Sequence, residues 1–207
     1  MTQKSSGRQT VTARTSEVDG LRPVERRSSG VRSSGGVLLA YHLTAVAADV
    51  EDVVRHAGGW LCDRARAGWQ VTVLVPPGSD TRALTILGVG VGSWEPGASA
   101  LGSEPPAAVA VGAGVLCRHE DLRREVLGTV EVESSEVTVW GEAPPFTTDL
   151  RFGRVHHPLS VAAQAFKARA LSQCDSAGTA PAVEQFLSCA LWYPPEGGDL
   201  VPVSSSR

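Results

Sequence analysis

Residues 45–75 read AVAADVEDVVRHAGGWLCDRARAGWQVTVLV. Asp49 is placed to cap a helix, and Glu51 and Asp52 stand in its first turn, where negative charge suits the helix dipole. Val50, Val53, Val54, Ala57, Trp60 and Leu61 recur at helical spacing and make one apolar face. Gly68 supplies the stop, and QVTVLVP follows as a strand closed by Pro76 and Pro77. Strand, helix and strand within about forty residues make a βαβ unit, whose right-handed crossover sets the two strands parallel. Gly58 and Gly59 fall inside the helix, each at a cost of up to about 1 kcal/mol against alanine. Either the helix packs very closely on its neighbours or it is interrupted there, and close packing is the expectation.

Working outward, VLLAYHLTAV from Val37 is a long apolar run of the kind found in a strand covered on both faces. Downstream, ALTILGVGVG reads as a third strand, AAVAVGAGVL as a fourth, HEDLRREVLGTVE as a helix and EVTVWGE as a further strand. Pro158 suits the first turn of a helix through LSVAAQAFKARAL, with Leu159, Ala162, Ala163, Phe166, Ala170 and Leu171 on one face. AVEQFLSCAL reads as a last short helix. The expectation is an α/β fold, a Rossmann-like three-layer sandwich with a mostly parallel sheet, spanning residues 36–193. Residues 1–35, rich in Ser, Gly, Arg and Thr, read as a disordered basic leader, and residues 194–207 as an irregular tail.

The 207 residues allow one domain with a substantial core, and no apolar run reaches the ~18 residues of a membrane span. No signal-peptide core segment opens the chain, so a soluble, cytoplasmic protein is expected. Seven basic and three acidic side chains fall within residues 1–35, which leaves an acidic body in a chain of net charge −3. Nucleic acid is thereby disfavoured as a partner. The four cysteines, Cys62, Cys117, Cys174 and Cys189, lack close CxxC spacing and read as reduced thiols, with Cys62, Cys117 and Cys189 in apolar surroundings.

In open α/β sheets ligands gather outside the carboxyl ends of the strands. Asp49 and Asp52 follow the first strand, Glu142 follows EVTVW, and His156 and His157 form the most suggestive polar pair. Converging on one pocket, these five would make an acid–base site. Each also has a structural reading: a cap and dipole partner for the aspartates, a solvated turn for Glu142, a helix cap for His157 and an exposed position for His156. No GxGxxG or GxxxxGK[ST] loop is present, and AADVED puts negative side chains where a phosphate would sit, so no nucleotide cofactor is expected.

The order apolar strand, acidic turn, GG, helix and AGWQVTVLV resembles the opening of the PIG-L-like N-acetylglucosaminyl deacetylases, and VHHPLSVAAQAF resembles the segment completing their zinc site. The resemblance implies a deacetylase scaffold whose metal ligands here would be Asp52 or Asp49 with His157 or His156. Ala47 or Ala48 stands where that family has its first histidine, and two ligands without the third make a poor zinc site. No metal or cofactor is therefore expected. The stretches AGGWLCDRARAGWQVTVLV, VTVWGE and LSVAAQAFKARAL are also similar to single-domain α/β proteins of GC-rich actinobacteria.

With complete catalytic motifs absent, the leading expectation is a non-catalytic α/β domain that binds a protein partner, a second copy or a small ligand. An exposed patch formed by Trp69, Trp94 and Trp192 would serve it. The alternative is a hydrolase or transferase with its site at the carboxyl ends of the strands.

Overall fold

The computed structural model describes residues 31–34, 37–103, 105–132, 135–142, 146–174, 180–189 and 199–203. The apolar run from Val37 is two strands, not one: β2 (Val37–Ala40) pairs antiparallel with β1 (Val31–Ser34), and after Tyr41 the chain enters the main sheet as β3 (His42–Val46). β1 lies inside the stretch read as a leader, whereas residues 1–30 and most of the tail fall outside the described residues. From β3 the expected βαβ unit follows, through α1 (Val50–Arg66) to β4 (Gln70–Val75), with β3 and β4 parallel.

The next segment departs from expectation. ALTILGVGVG is a short helix, α2 (Arg82–Leu87), and then an edge strand, β5 (Gly90–Ser93), parallel to β4. Ala83, Leu84 and Leu87 are the buried residues, a helical spacing that the short apolar run concealed. β6 (Ala108–Gly112) and β7 (Glu136–Trp140) extend the parallel sheet on the other side of β3, with α3 (Ala113–Arg118) and α4 (Glu120–Glu131) between them.

The sheet then changes sense. AVEQFLSCAL is a strand, β9 (Val183–Cys189), not a helix, and it pairs antiparallel with β7. The helix expected from Pro158 begins later: β8 (Gly153–Pro158) is a strand antiparallel to β9, and α5 (Val161–Gln173) is capped by Ser160, whose side chain accepts from Ala163 N. β10 (Val201–Pro202) closes the edge against β8. The order β10-β8-β9-β7-β6-β3-β4-β5 is therefore a mixed sheet, not a mostly parallel one. A seven-residue apolar-rich segment carries too little periodicity to separate a strand from a helix, and β9 becomes a strand because β7 and β8 supply hydrogen-bond partners on both sides.

Two cores flank the sheet. Alternate residues of β6 show the division: Ala108 and Ala110 join the core under α1, α2 and α5, while Val109 and Val111 join the core under α4. The face predicted for α1 is buried as read, with Val53, Val54, Ala57, Trp60 and Leu61 at no exposure. Each of the larger ones contributes about 1.5–3 kcal/mol on burial. On α5, Ala163, Ala170 and Leu171 are buried, but Phe166 is exposed and Lys167 lies inside instead.

Gly58 and Gly59 answer to close packing, since α1 runs unbroken through them. A Cβ on Gly59 would stand 1.8 Å from Leu159 Cδ2 and 3.2 Å from Glu184 Oε1. The missing side chain is the space through which the β8–α5 connection and β9 reach the helix backbone.

The patch expected from three tryptophans does not form. Trp94 is buried and donates from Nε1 to Ala98 O, because its indole fills the core beside Val46 and Leu101. Trp69 packs between Tyr41 and the Arg64 guanidinium, and Trp192 lies outside the described residues. Cys62 and Cys189 are buried as expected, whereas Cys117 is exposed, since it points away from the buried side of α3 carried by Ala113, Val115 and Leu116. No helix among the described residues is long and apolar enough to cross a membrane.

Candidate active site

The five parallel strands stand in the order β5-β4-β3-β6-β7, so the chain steps from β3 through β4 to β5 on one side and then crosses back to β6 and β7 on the other side of β3. The carboxyl ends of β3 and β6 are consequently the place where an open α/β sheet forms its crevice. Asp49 and Asp52 follow β3, and Gly112 ends β6.

Asp49 caps α1, its Oδ1 accepting from Asp52 N at 2.7 Å. Asp52 points to the sheet. Its Oδ2 accepts from Trp140 Nε1 at 2.9 Å, and its Oδ1 meets His56 Nδ1 at 3.1 Å. The backbone makes room for this: a Cβ on Gly112 would stand 3.0 Å from Asp52 Oδ2 and 3.2 Å from Trp140 Nε1. Partial burial works to raise the Asp52 carboxyl, but the hydrogen bonds from His56 and Trp140, with the charges of His56 and Arg118, hold it below its ordinary value.

His56, which sequence reasoning passed over, completes the group. Its Nδ1 faces two acceptors, Asp52 Oδ1 and Asp52 O at 3.0 Å, and so must be the protonated nitrogen of the neutral ring. The lone pair is thereby placed on Nε2. Among the described residues Nε2 has no hydrogen-bond partner, and the side chain is 38% exposed. The hydrogen bond that the ring donates to the Asp52 carboxylate raises the imidazole above its ordinary value, against the opposing pull of partial burial. The signal available in the sequence was the spacing: Asp52 and His56 are four apart on one helix, which places them on one face.

His157 goes elsewhere. Its Nε2 meets Asp63 Oδ2 at 3.0 Å and its Nδ1 meets Asp199 O at 2.5 Å, so both nitrogens are taken and the side chain is 8% exposed. Asp63 also accepts from Ser160 N at 3.0 Å and Ser160 Oγ at 2.5 Å. Serine and histidine thus both point at the carboxylate and not at each other, a clamp between α1 and the start of α5. Asp63 lies eleven residues beyond Asp52, about 16 Å along the helix. His156 is half-buried in β8 opposite Gln185 and Val201, and Glu142 is exposed two residues past β7. The structure therefore brings Asp49 and Asp52 together on the first turn of α1 and leaves His157 at the far part of that helix.

Zinc bound through Asp52 and His157 does not fit this arrangement. Their donor atoms are committed to different partners, and among the described residues no group of three His, Cys, Asp or Glu is placed to hold a metal ion.

No protein-family profile matches the chain, and no curated protein does. Among solved structures it is similar to a triple mutant of a deacetylase of the teicoplanin biosynthetic pathway, 14% identical, covering 80% of this chain and 100% of that one, with a TM-score of 0.49. It is also similar to the zinc-inhibited form of teicoplanin deacetylase, at 12% identity over 80% and 100% with a TM-score of 0.48. The deacetylase of the antimicrobial A40926 pseudoaglycone is 13% identical over 70% and 95%, with a TM-score of 0.46. The resemblance to deacetylases is weak in structure as in sequence, and it says nothing of the chemistry of this chain.

Proposed function

We propose that the protein is a hydrolase or transferase working at the carboxyl ends of β3, β6 and β7, with His56 as its acid–base group and Asp52 as the carboxylate that orients it. The observation carrying this reading is the pairing of His56 Nδ1 with Asp52, which leaves Nε2 basic on a ring that is 38% exposed. In such a step Nε2 takes the proton of a water or an acceptor hydroxyl as its oxygen attacks the substrate's carbonyl carbon. Asp52 stabilises the imidazolium so formed, and the proton passes to the departing group. Trp140 Nε1 holds the far oxygen of Asp52, so the carboxylate cannot turn from the ring. The partner-binding reading rested on missing catalytic motifs and on a tryptophan patch, and it loses the second support because Trp94 is buried.

A panel of N-acyl amino sugars and carboxylic esters, assayed with the wild type, His56→Gln and Asp52→Asn, tests this. Turnover of at least one class is expected, falling about 10²- to 10⁴-fold in His56→Gln. Turnover that survives His56→Gln unchanged, or none across the panel, refutes it.

A further inference from the structure

In an α-helix the N–H of Gly59 and the C=O of Arg55 are each other's ladder partners, four residues apart. In α1 both ends of that pair meet one buried ion pair. Glu184 Oε1 accepts from Gly59 N at 2.9 Å and Oε2 from Trp60 N at 2.8 Å. Lys167 Nζ donates to Arg55 O at 2.6 Å and to Glu184 Oε1 at 2.5 Å. The two side chains are 0% and 1% exposed and come from different elements, α5 and β9. Burial pushes the Glu184 carboxyl up, while Lys167 and the two helix N–H groups pull it down.

Desolvating two charges costs as much as their attraction returns, so a buried pair is poor evidence of stability for its own sake. Its position is more telling. The turn it grips, residues 55–60, contains His56, and the absent side chain of Gly59 is what lets Glu184 and Leu159 approach. We propose that Lys167 and Glu184 are positioning residues that fix the α1 turn carrying His56, so that the ring stays on Asp52 with Nε2 left unspent. This rests on the acid–base role given to His56.

The test replaces both charges at once, in Lys167→Met/Glu184→Leu, since either single change leaves a buried charge alone. A milder variant, Lys167→Met/Glu184→Gln, retains an acceptor for the helix N–H groups and covers the case in which the first does not fold. Two readouts are taken. The His56 ring is titrated by NMR: loss of the Lys167 charge by itself moves the midpoint up, so a fall toward the ordinary value of about 6.5, the expected result, reports loosening of the Asp52 contact. For any substrate the wild type turns over, kcat is expected to drop about tenfold or more with KM little changed, as for a misplaced catalytic group. Folded variants that keep both the wild-type midpoint and the wild-type kcat would overturn the proposal. The titration does not depend on turnover, so an inactive wild type would defeat the catalytic reading while this readout still decides whether the pair positions His56.

Discussion

One helix carries two histidine–aspartate contacts of nearly equal length. Asp52 meets His56 at 3.1 Å, and Asp63 meets His157 at 3.0 Å. The first pair is 28% and 38% exposed and uses one ring nitrogen; the second is 18% and 8% exposed and uses both. A carboxylate on an imidazole is thus insufficient to mark a catalytic dyad. What separates the two is whether a nitrogen remains for a substrate. His157 is a fastener between β8, α1 and the segment before β10, whereas His56 has one side unspent.

The sharpest way to break the contrast is Asp63→Ala. It strips acceptors from His157 Nε2, Ser160 N and Ser160 Oγ together, and is expected to cost about 2–3 kcal/mol of stability. Denaturant unfolding measures this, and His56 should keep its titration midpoint in the folded fraction. Asp52→Asn should do the reverse, leaving stability within about 1 kcal/mol while moving that midpoint down.

The carboxylates of the two pairs, both lowered, respond alike to pH, and His56 adds a contribution of the opposite sign. Burial tends to raise Asp63, but Ser160 and His157 outweigh it and lower the carboxyl; Asp199 is lowered against burial by Arg64 and Trp60. Groups depressed on folding give stability that is complete above their unfolded values and is lost as pH falls through the folded ones, so the melting temperature should drop below about pH 4. His56 is raised on folding, and its contribution has the opposite sign. It is present below about pH 6.5 and lost as pH rises through the raised value. Any activity using His56 as base should climb over that same interval, so activity and this part of the stability move in opposite directions.

The smallest effect concerns the residue that first drew attention. Asp49→Ala removes the cap on α1 and should cost about 1 kcal/mol. Thermal unfolding reads this, and turnover should be unaltered if capping is the whole duty of Asp49.

The sequence alone determined the βαβ unit around residues 45–75, because a long helix with a cap, an acidic first turn and a sustained apolar face is specified by contacts within one segment. It also announced a close approach at Gly58 and Gly59 without naming what approaches. The antiparallel half of the sheet was not legible, because the pairing of β8 and β9 with each other and with β7 is a matter of partners distant in the chain. The same reason governs the site. Asp49 was readable as a cap because its partner is three residues away. The duties of His157, Lys167 and Glu184 were not, because Asp199, Arg55 and Gly59 lie 42, 112 and 125 residues from the side chains that meet them. Tertiary structure alone decided that His157 is spent and His56 is open, since the hydrogen-bonding capacity of an imidazole is allotted by whichever acceptors the fold brings to its two nitrogens.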